Sequence, residues 1–137
     1  MTYSKSQNAA LFILRIVIAA IFFVAAYSKI PFWSGNPYGL NSFNLNLTRF
    51  LSIAESLGAL AILLGFLTRW AAIGSAIIMV GAIYYSQFVY GIGFVTPTSA
   101  GWNFPLCILA GCIILIAFGA GGWSVDASRG KTITGNN

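Results

Sequence analysis

One carboxylate, Glu55, stands inside the stretch Thr48 to Arg69 (T-R-F-L-S-I-A-E-S-L-G-A-L-A-I-L-L-G-F-L-T-R), which is otherwise apolar and long enough to cross a bilayer as a helix. An ionisable side chain at that depth costs at least about 2.5–3.5 kcal/mol, so it is paired, lines a wet cavity or is neutralised. A neutral Glu55 can donate a hydrogen bond or pass a proton, which makes it the candidate catalytic residue. Two basic residues on the preceding apolar run can reach it. Arg15 lies to one side and Lys29 to the other, each about 10 Å away along the axis at 1.5 Å per residue, and spacing does not choose between them. Tyr85 is expected at the depth of Glu55, with Asn103 and Lys29 above it. Arg15, Lys29, Tyr85 and Asn103 are therefore the candidates for binding a substrate or quinone head group around Glu55. An ion pair that only ties two helices together explains Glu55 about as well.

Cys107 and Cys112 are five residues apart on one apolar run, about 140° around a helix axis, and cannot close a disulfide without unwinding it. Both read as small core hydrophobes. The chain has no histidine, which removes His-ligated haem and the usual zinc and non-haem iron sites, and two cysteines cannot hold an iron–sulfur cluster. No metal site is expected. The G-A-G-G run at Gly119 follows a helix instead of opening one, so it is not a phosphate-binding fingerprint. Electrons handled by such a chain must ride on a quinone-like organic carrier or on a partner.

The elements that must position these groups follow from composition. Of 137 residues 58% are hydrophobic and 7% charged, against about 25% charged in a soluble domain. The expected fold is all-α: a transmembrane four-helix bundle with spans near 9–30, 48–67, 70–90 and 103–119. The first run is longer than the roughly 7–15 residues of a signal-peptide core and has no A-x-A-type cleavage pattern, so it reads as a first membrane helix. The net charge of +5 comes from basic residues spread singly along the chain, which excludes a nucleic-acid surface and reads instead as a topology signal.

On helix one, Arg15, Phe22 and Lys29 recur every seven residues beside Ala19 and Ala26, a stripe that should face protein. On helix two, Thr48, Ser52, Glu55, Ser56 and Ala59 oppose a lipid-compatible face of Phe50, Ile53, Leu57, Leu60 and Leu64. Helix three offers small residues at Ala71, Gly74, Ser75, Gly81 and Ala82, with Tyr85 on that stripe. Asn103 is expected to cap helix four, with Pro105 tolerated in its first turn. Pro31 to Leu47 and Gly91 to Trp102 read as loops, the first with Trp33 and Tyr38 at the interface. Residues 127–137 read as a polar, disordered tail. Lys5, Arg69, Arg129 and Lys131 at one end outnumber Lys29 and Arg49 at the other. That count places both termini in the cytoplasm, in the cell (inner or plasma) membrane.

Three segments carry a resemblance. L-R-I-V-I-A-A-I-F-F-V-A-A-Y-S-K-I (Leu14 to Ile30), A-E-S-L-G-A-L-A-I-L-L-G-F-L-T-R (Ala54 to Arg69) and G-A-G-G-W-S-V-D (Gly119 to Asp126) together resemble the DoxX family of small four-helix membrane proteins. The resemblance implies one such domain over 1–126. The family's helix-one arginine and lysine match Arg15 and Lys29, its helix-two glutamate Glu55 and its turn arginine Arg69. Two positions depart: where many members carry a histidine late in helix three, this chain reads A-I-Y-Y-S-Q-F, and Gly122 stands in place of the arginine of a G-x-G-R ending.

The resemblance implies a link to membrane redox, since relatives include a thiosulfate:quinone oxidoreductase subunit. The expectation is a subunit or accessory of a quinone-linked system with no covalent or metal-held cofactor; an enzymatic role, if it has one, is that of a quinone-linked oxidoreductase subunit. Its partners are the lipid bilayer and either a redox subunit or further copies of itself. The alternative is a non-catalytic scaffold whose buried charges only hold the bundle together.

Overall fold

Helix α1 begins earlier than its apolar run. Ser4 accepts a hydrogen bond from the Gln7 amide while the Gln7 side chain accepts one from the Ser4 amide, a capping box that starts α1 at Lys5 and carries it to Tyr27. These features belong to a computed structural model that describes residues 3–98 and 100–133. Beyond α1 the stretch expected to be loop is partly helical. A short helix α2, Pro31–Ser34, opens on its proline. Asn41 then caps α3, Ser42–Leu64, by accepting from the Asn44 amide. The second membrane helix therefore starts six residues before Thr48, because a favourable cap stands at Asn41.

Helix α4 runs Thr68–Tyr84 and continues as a π turn, Tyr85–Val89, closed by the Tyr90 amide donating to Tyr85 O. Helix α5 is Asn103–Phe118. A further helix α6, Val125–Ile133, stands where a disordered tail was expected; residues 134–137 lie outside the described residues.

Helices α1 and α3 form one antiparallel hairpin and α4 and α5 another, joined chiefly through α3 and α4. The core between them is small and apolar: Ile18, Ala19 and Phe22 of α1, Ala59 and Ile62 of α3, Ala72 and Met79 of α4, Ile108, Cys112 and Leu115 of α5. Of the expected stripes, Arg15, Ala19, Phe22 and Ala26 on helix one and Ser52, Glu55 and Ala59 on helix two are buried, Lys29, Thr48 and Ser56 are partly so, and Phe50, Ile53, Leu57, Leu60 and Leu64 face outward. Two expectations fail by rotation about a helix axis. On α4 the buried face is Thr68, Ala72, Ser75 and Met79, so Gly74 points away from the bundle. On α5 it is Ile108, Gly111, Cys112 and Leu115, which leaves Cys107 exposed and only Cys112 in the core. Gly111 lets α1 approach closely there: a Cβ would come within 2.9 Å of Ile18 Cδ1, and that side-chain end would have to shift.

Among the described residues three helical segments are long and apolar enough to cross a membrane, and α5 is a shorter apolar helix. At 1.5 Å per residue α5 is about 24 Å long, somewhat under the ~30 Å hydrocarbon core. Large apolar side chains cover the outer surface of all four helices, among them Val24, Leu57, Ile77 and Ile113. The molecule is a multi-pass, all-α membrane protein. Its two ends differ: one carries the chain start, the α3–α4 turn and α6 (the tail end), the other α2 and the two longer connections (the loop end).

Candidate functional site

Glu55 is buried on the inner face of α3, and its partner is Lys29. The Lys29 ammonium donates to Glu55 Oε2 at 2.6 Å and to Ala25 O at 3.0 Å. Helix α1 ends at Tyr27, four residues before Pro31, which has no N–H to give the Tyr27 carbonyl, and Lys29 falls in the turn that follows, held by its amide donating to Ala26 O. From there the lysine stem folds back toward α3. An ammonium has three N–H donors, so one is left unused by the chain.

Around this pair the loop end is cross-linked by polar contacts. Trp33 Nε1 of α2 donates to Ser52 Oγ, one helical turn from Glu55 at 2.9 Å, and Ser52 Oγ donates to Arg49 O at 2.8 Å. Arg49 Nε donates to Phe32 O, and Ser56 Oγ to Ser52 O, each at 2.8 Å. These bonds pin α2 across the top of α1 and α3. Beneath it lies a groove of about 390 Å³ whose walls include Phe23, Tyr27, Ile53 and Leu57, with Trp33, Ser52 and Ser56 at its polar end. The wall residues are exposed on the outer, lipid-facing surface.

The other expected site residues are not gathered here. Arg15 is buried near the tail end, about 21 Å of helix rise from Lys29. Its Nε donates to Ile62 O at 2.9 Å, Nη2 to Leu63 O at 2.7 Å, and Nη1 to Ala120 O at 2.9 Å and Trp123 O at 2.8 Å. The guanidinium is spent on carbonyls at the end of α3 and in the segment after α5, sharing Ile62 O with the Gly65 amide. Register separates Tyr85 from Glu55. A Cβ on Gly58 would touch Ser75 Oγ at 3.5 Å, which sets Glu55 level with Ile78 and Met79 and Tyr85 about 10 Å nearer the loop end. Tyr85 there packs against the rings of Tyr84 and Tyr90. Asn103 does not cap α5. Trp102 holds the cap position, and Asn103 Oδ1 is buried without a partner in the other hairpin.

Trp33, Ser52 and Ser56 complete the loop-end cluster. Ser52 and Ser56 were legible as members of the Glu55 face; Trp33 carried only the signal of an interfacial aromatic, and nothing in its spacing tied it to Ser52.

A short all-helical membrane bundle with one buried ion pair at its loop end and one buried arginine at its tail end defines the class. The chain belongs to the DoxX family, whose family model matches residues 10–91. It is similar to Inner membrane protein YqjF of Escherichia coli (strain K12), with 29% identity over 134 residues that cover 93% of this chain and 97% of that protein. No solved structure matches the chain.

Proposed function

We propose that this DoxX protein is the quinone-binding membrane component of a redox system, and that the groove between α1 and α3 is where the quinone sits. The observation that carries the reading is the groove itself: apolar walls facing lipid, with the Trp33 indole and the Ser52 and Ser56 hydroxyls at one end, the two serines flanking Glu55 on the same turns of α3. A prenyl tail matches the side formed by Phe23, Tyr27, Ile53 and Leu57. A ring carbonyl at the polar end would take the single Trp33 N–H by displacing Ser52 Oγ from it. A bound quinone supplies the electron and proton chemistry; the chain's residues supply orientation and a low-dielectric wall. Glu55 holds the Lys29 ammonium in place through their 2.6 Å contact, and is the group through which a proton would pass.

The test is quinone content after purification from native membranes in mild detergent. Leu57→Trp fills the groove from its lipid-facing wall without touching the core, and should strip the quinone while the protein stays folded. Equal quinone content in wild type and variant would falsify the assignment. A second reading rests on the closed 2.6 Å contact of Lys29 with Glu55: the pair holds the bundle and the protein is a scaffold. In that case Glu55→Gln lowers stability in detergent and leaves quinone content at the background of the surrounding lipid.

The same reading sets the tail end in the cytoplasm and the membrane as the inner or plasma membrane. Lys5, Arg69, Arg129 and Lys131 cluster there, while at the loop end Lys29 is paired and Arg49 bonds Phe32 O. The similar protein is itself called an inner membrane protein. A cysteine placed at Ser34 should react with an impermeant maleimide in intact cells, and one placed at Lys5 should not.

A further inference from the structure

At the tail end a second cavity, of about 300 Å³, lies over Gly119 and Ala120 and is lined by Thr68, Arg69, Trp70 and Asp126. Its groups are only partly used. The exposed Arg69 guanidinium makes one long bond, Nη2 donating to Ala117 O at 3.3 Å. Asp126 accepts one amide on each oxygen, from Leu67 at 2.8 Å and Thr68 at 3.0 Å. A carboxylate has about four lone-pair positions, so acceptor capacity remains on both oxygens. Among the described residues no cation lies within ion-pair distance of it, although the buried Arg15 guanidinium is near enough to attract it through space. Thr68, one of the lining residues, is fully buried, and among the described residues its Oγ1 has no partner, an arrangement that proteins ordinarily avoid. Trp70 is largely exposed at the start of α4, at the level where indoles meet lipid head groups.

A free cation, a part-used anion and an orphan hydroxyl on one small cavity do not suit a simple anion, which the Asp126 carboxylate would repel. They suit a zwitterion. We propose that this cavity binds a phosphoethanolamine group, carried on a membrane phospholipid. The phosphodiester lies on Arg69 and the Thr68 hydroxyl, as arginine suits planar recognition of phosphate oxygens. The primary ammonium lies on Asp126 and the face of Trp70, a pairing of charge-assisted hydrogen bond and cation–π contact. The site is separate from the loop-end groove and does not depend on the quinone reading.

The full chain in detergent, followed by native mass spectrometry, tests this with phosphatidylethanolamine, phosphatidylcholine and phosphatidylglycerol of matched acyl chains. Phosphatidylethanolamine should bind about tenfold more tightly than either, because the choline cannot donate to Asp126 and the glycerol lacks the cation. Arg69→Gln should remove the tight phase, while Lys5→Gln, a charge change at the same end outside the cavity, should leave it. Equal binding of the three lipids overturns the proposal without any variant. So does a loss in Lys5→Gln as large as in Arg69→Gln, which would mean diffuse charge attraction. Soluble phosphoethanolamine competing at concentrations equal to the lipid would show that the free headgroup, and not a lipid, is the ligand.

Discussion

The two ends of the bundle each enclose a basic side chain, Arg15 of α1 and Lys29 of the turn after it, and satisfy it in opposite ways. At the tail end Arg15 makes four bonds, all to main-chain carbonyls, and is almost fully excluded from the surface. At the loop end Lys29 makes one bond to a carbonyl and one to a carboxylate, and its side chain remains 19% exposed. Carbonyls cannot change protonation and are fixed by their helices, so the arginine site is a rigid joint. At the loop end the bond partners include a second side chain and the lysine stays partly exposed, so that contact is less firmly held. The fold thus places permanence where the helices converge with α6 and adaptability where the groove opens to lipid.

The largest effect should come from breaking the rigid joint. Arg15→Gln removes the fork and strands several carbonyls, and removing one side of a buried charged network typically costs about 3–5 kcal/mol. Thermal unfolding in detergent should show a large drop in Tm, and Arg15→Lys should restore little of it, since a point charge cannot span carbonyls on α3 and the segment after α5. Recovery of wild-type Tm by lysine would mean that charge alone, not the fork, matters there.

Gly65→Ala attacks the same joint from the backbone. Gly65 closes α3 at φ +69°, with Phe66 N donating to Ala61 O and Gly65 N to Ile62 O, and Ser124 and Arg15 lie on top of it. A Cβ would meet Ser124 Cβ at 2.4 Å and Arg15 Nη2 at 2.9 Å. The left-handed conformation alone costs about 1 kcal/mol for a non-glycine residue, and the displaced arginine adds to it. We expect a Tm loss second only to that of Arg15→Gln, and little further loss when both substitutions are combined.

At the loop end the sign of the comparison can be read from a double-mutant cycle. Glu55→Gln leaves Lys29 facing a neutral amide, and Lys29→Met leaves Glu55 buried without a counter-charge. Because the lysine is partly exposed, each single change should cost about 2 kcal/mol, less than for a fully buried pair. The double variant should regain most of it, since neither charge then lacks a partner. Additive losses in unfolding measurements would show that the two residues act independently, and the loop end would not be a single responsive unit.

Why the sequence distinguished these ends only in part is a matter of what kind of partner each charge has. Glu55, Ser52 and Ser56 share a face by helical periodicity, and that face was legible. Lys29 and Arg15 were equally spaced from Glu55 along the axis, and the choice fell to Pro31, which ends α1 and turns Lys29 inward. The partners of Arg15 are main-chain carbonyls, which leave no residue-type signal at all. Tyr85 and Asn103 were assigned by depth alone; helix start, the π turn at Tyr85–Val89 and rotation about the axis then set where their side chains stand. Small residues misled on α4 for a related reason. Gly74 fits a close-packing pattern as well as Ala72 does, and only the contact with the neighbouring helix decides which of them is inside.

The smallest effect expected is at Asp126, which bears on both the joint and the start of α4. Its carboxylate takes the amides of Leu67 and Thr68, while its own amide donates to Gly65 O at 2.9 Å. Leu67 sits at φ +47°, a conformation unfavourable for leucine, and the carboxylate bonds its amide in that shape. Asp126→Ala removes a helix cap, typically worth about 0.5–2 kcal/mol, but leaves the main-chain bond to Gly65 intact. Hydrogen exchange should therefore quicken at Leu67 and Thr68 while the amides of α3 near Ile62 stay protected. If exchange quickened equally through the end of α3, the Arg15 joint would depend on Asp126, and the tail end would be one cooperative unit instead of a rigid arginine site with a separate cap beside it.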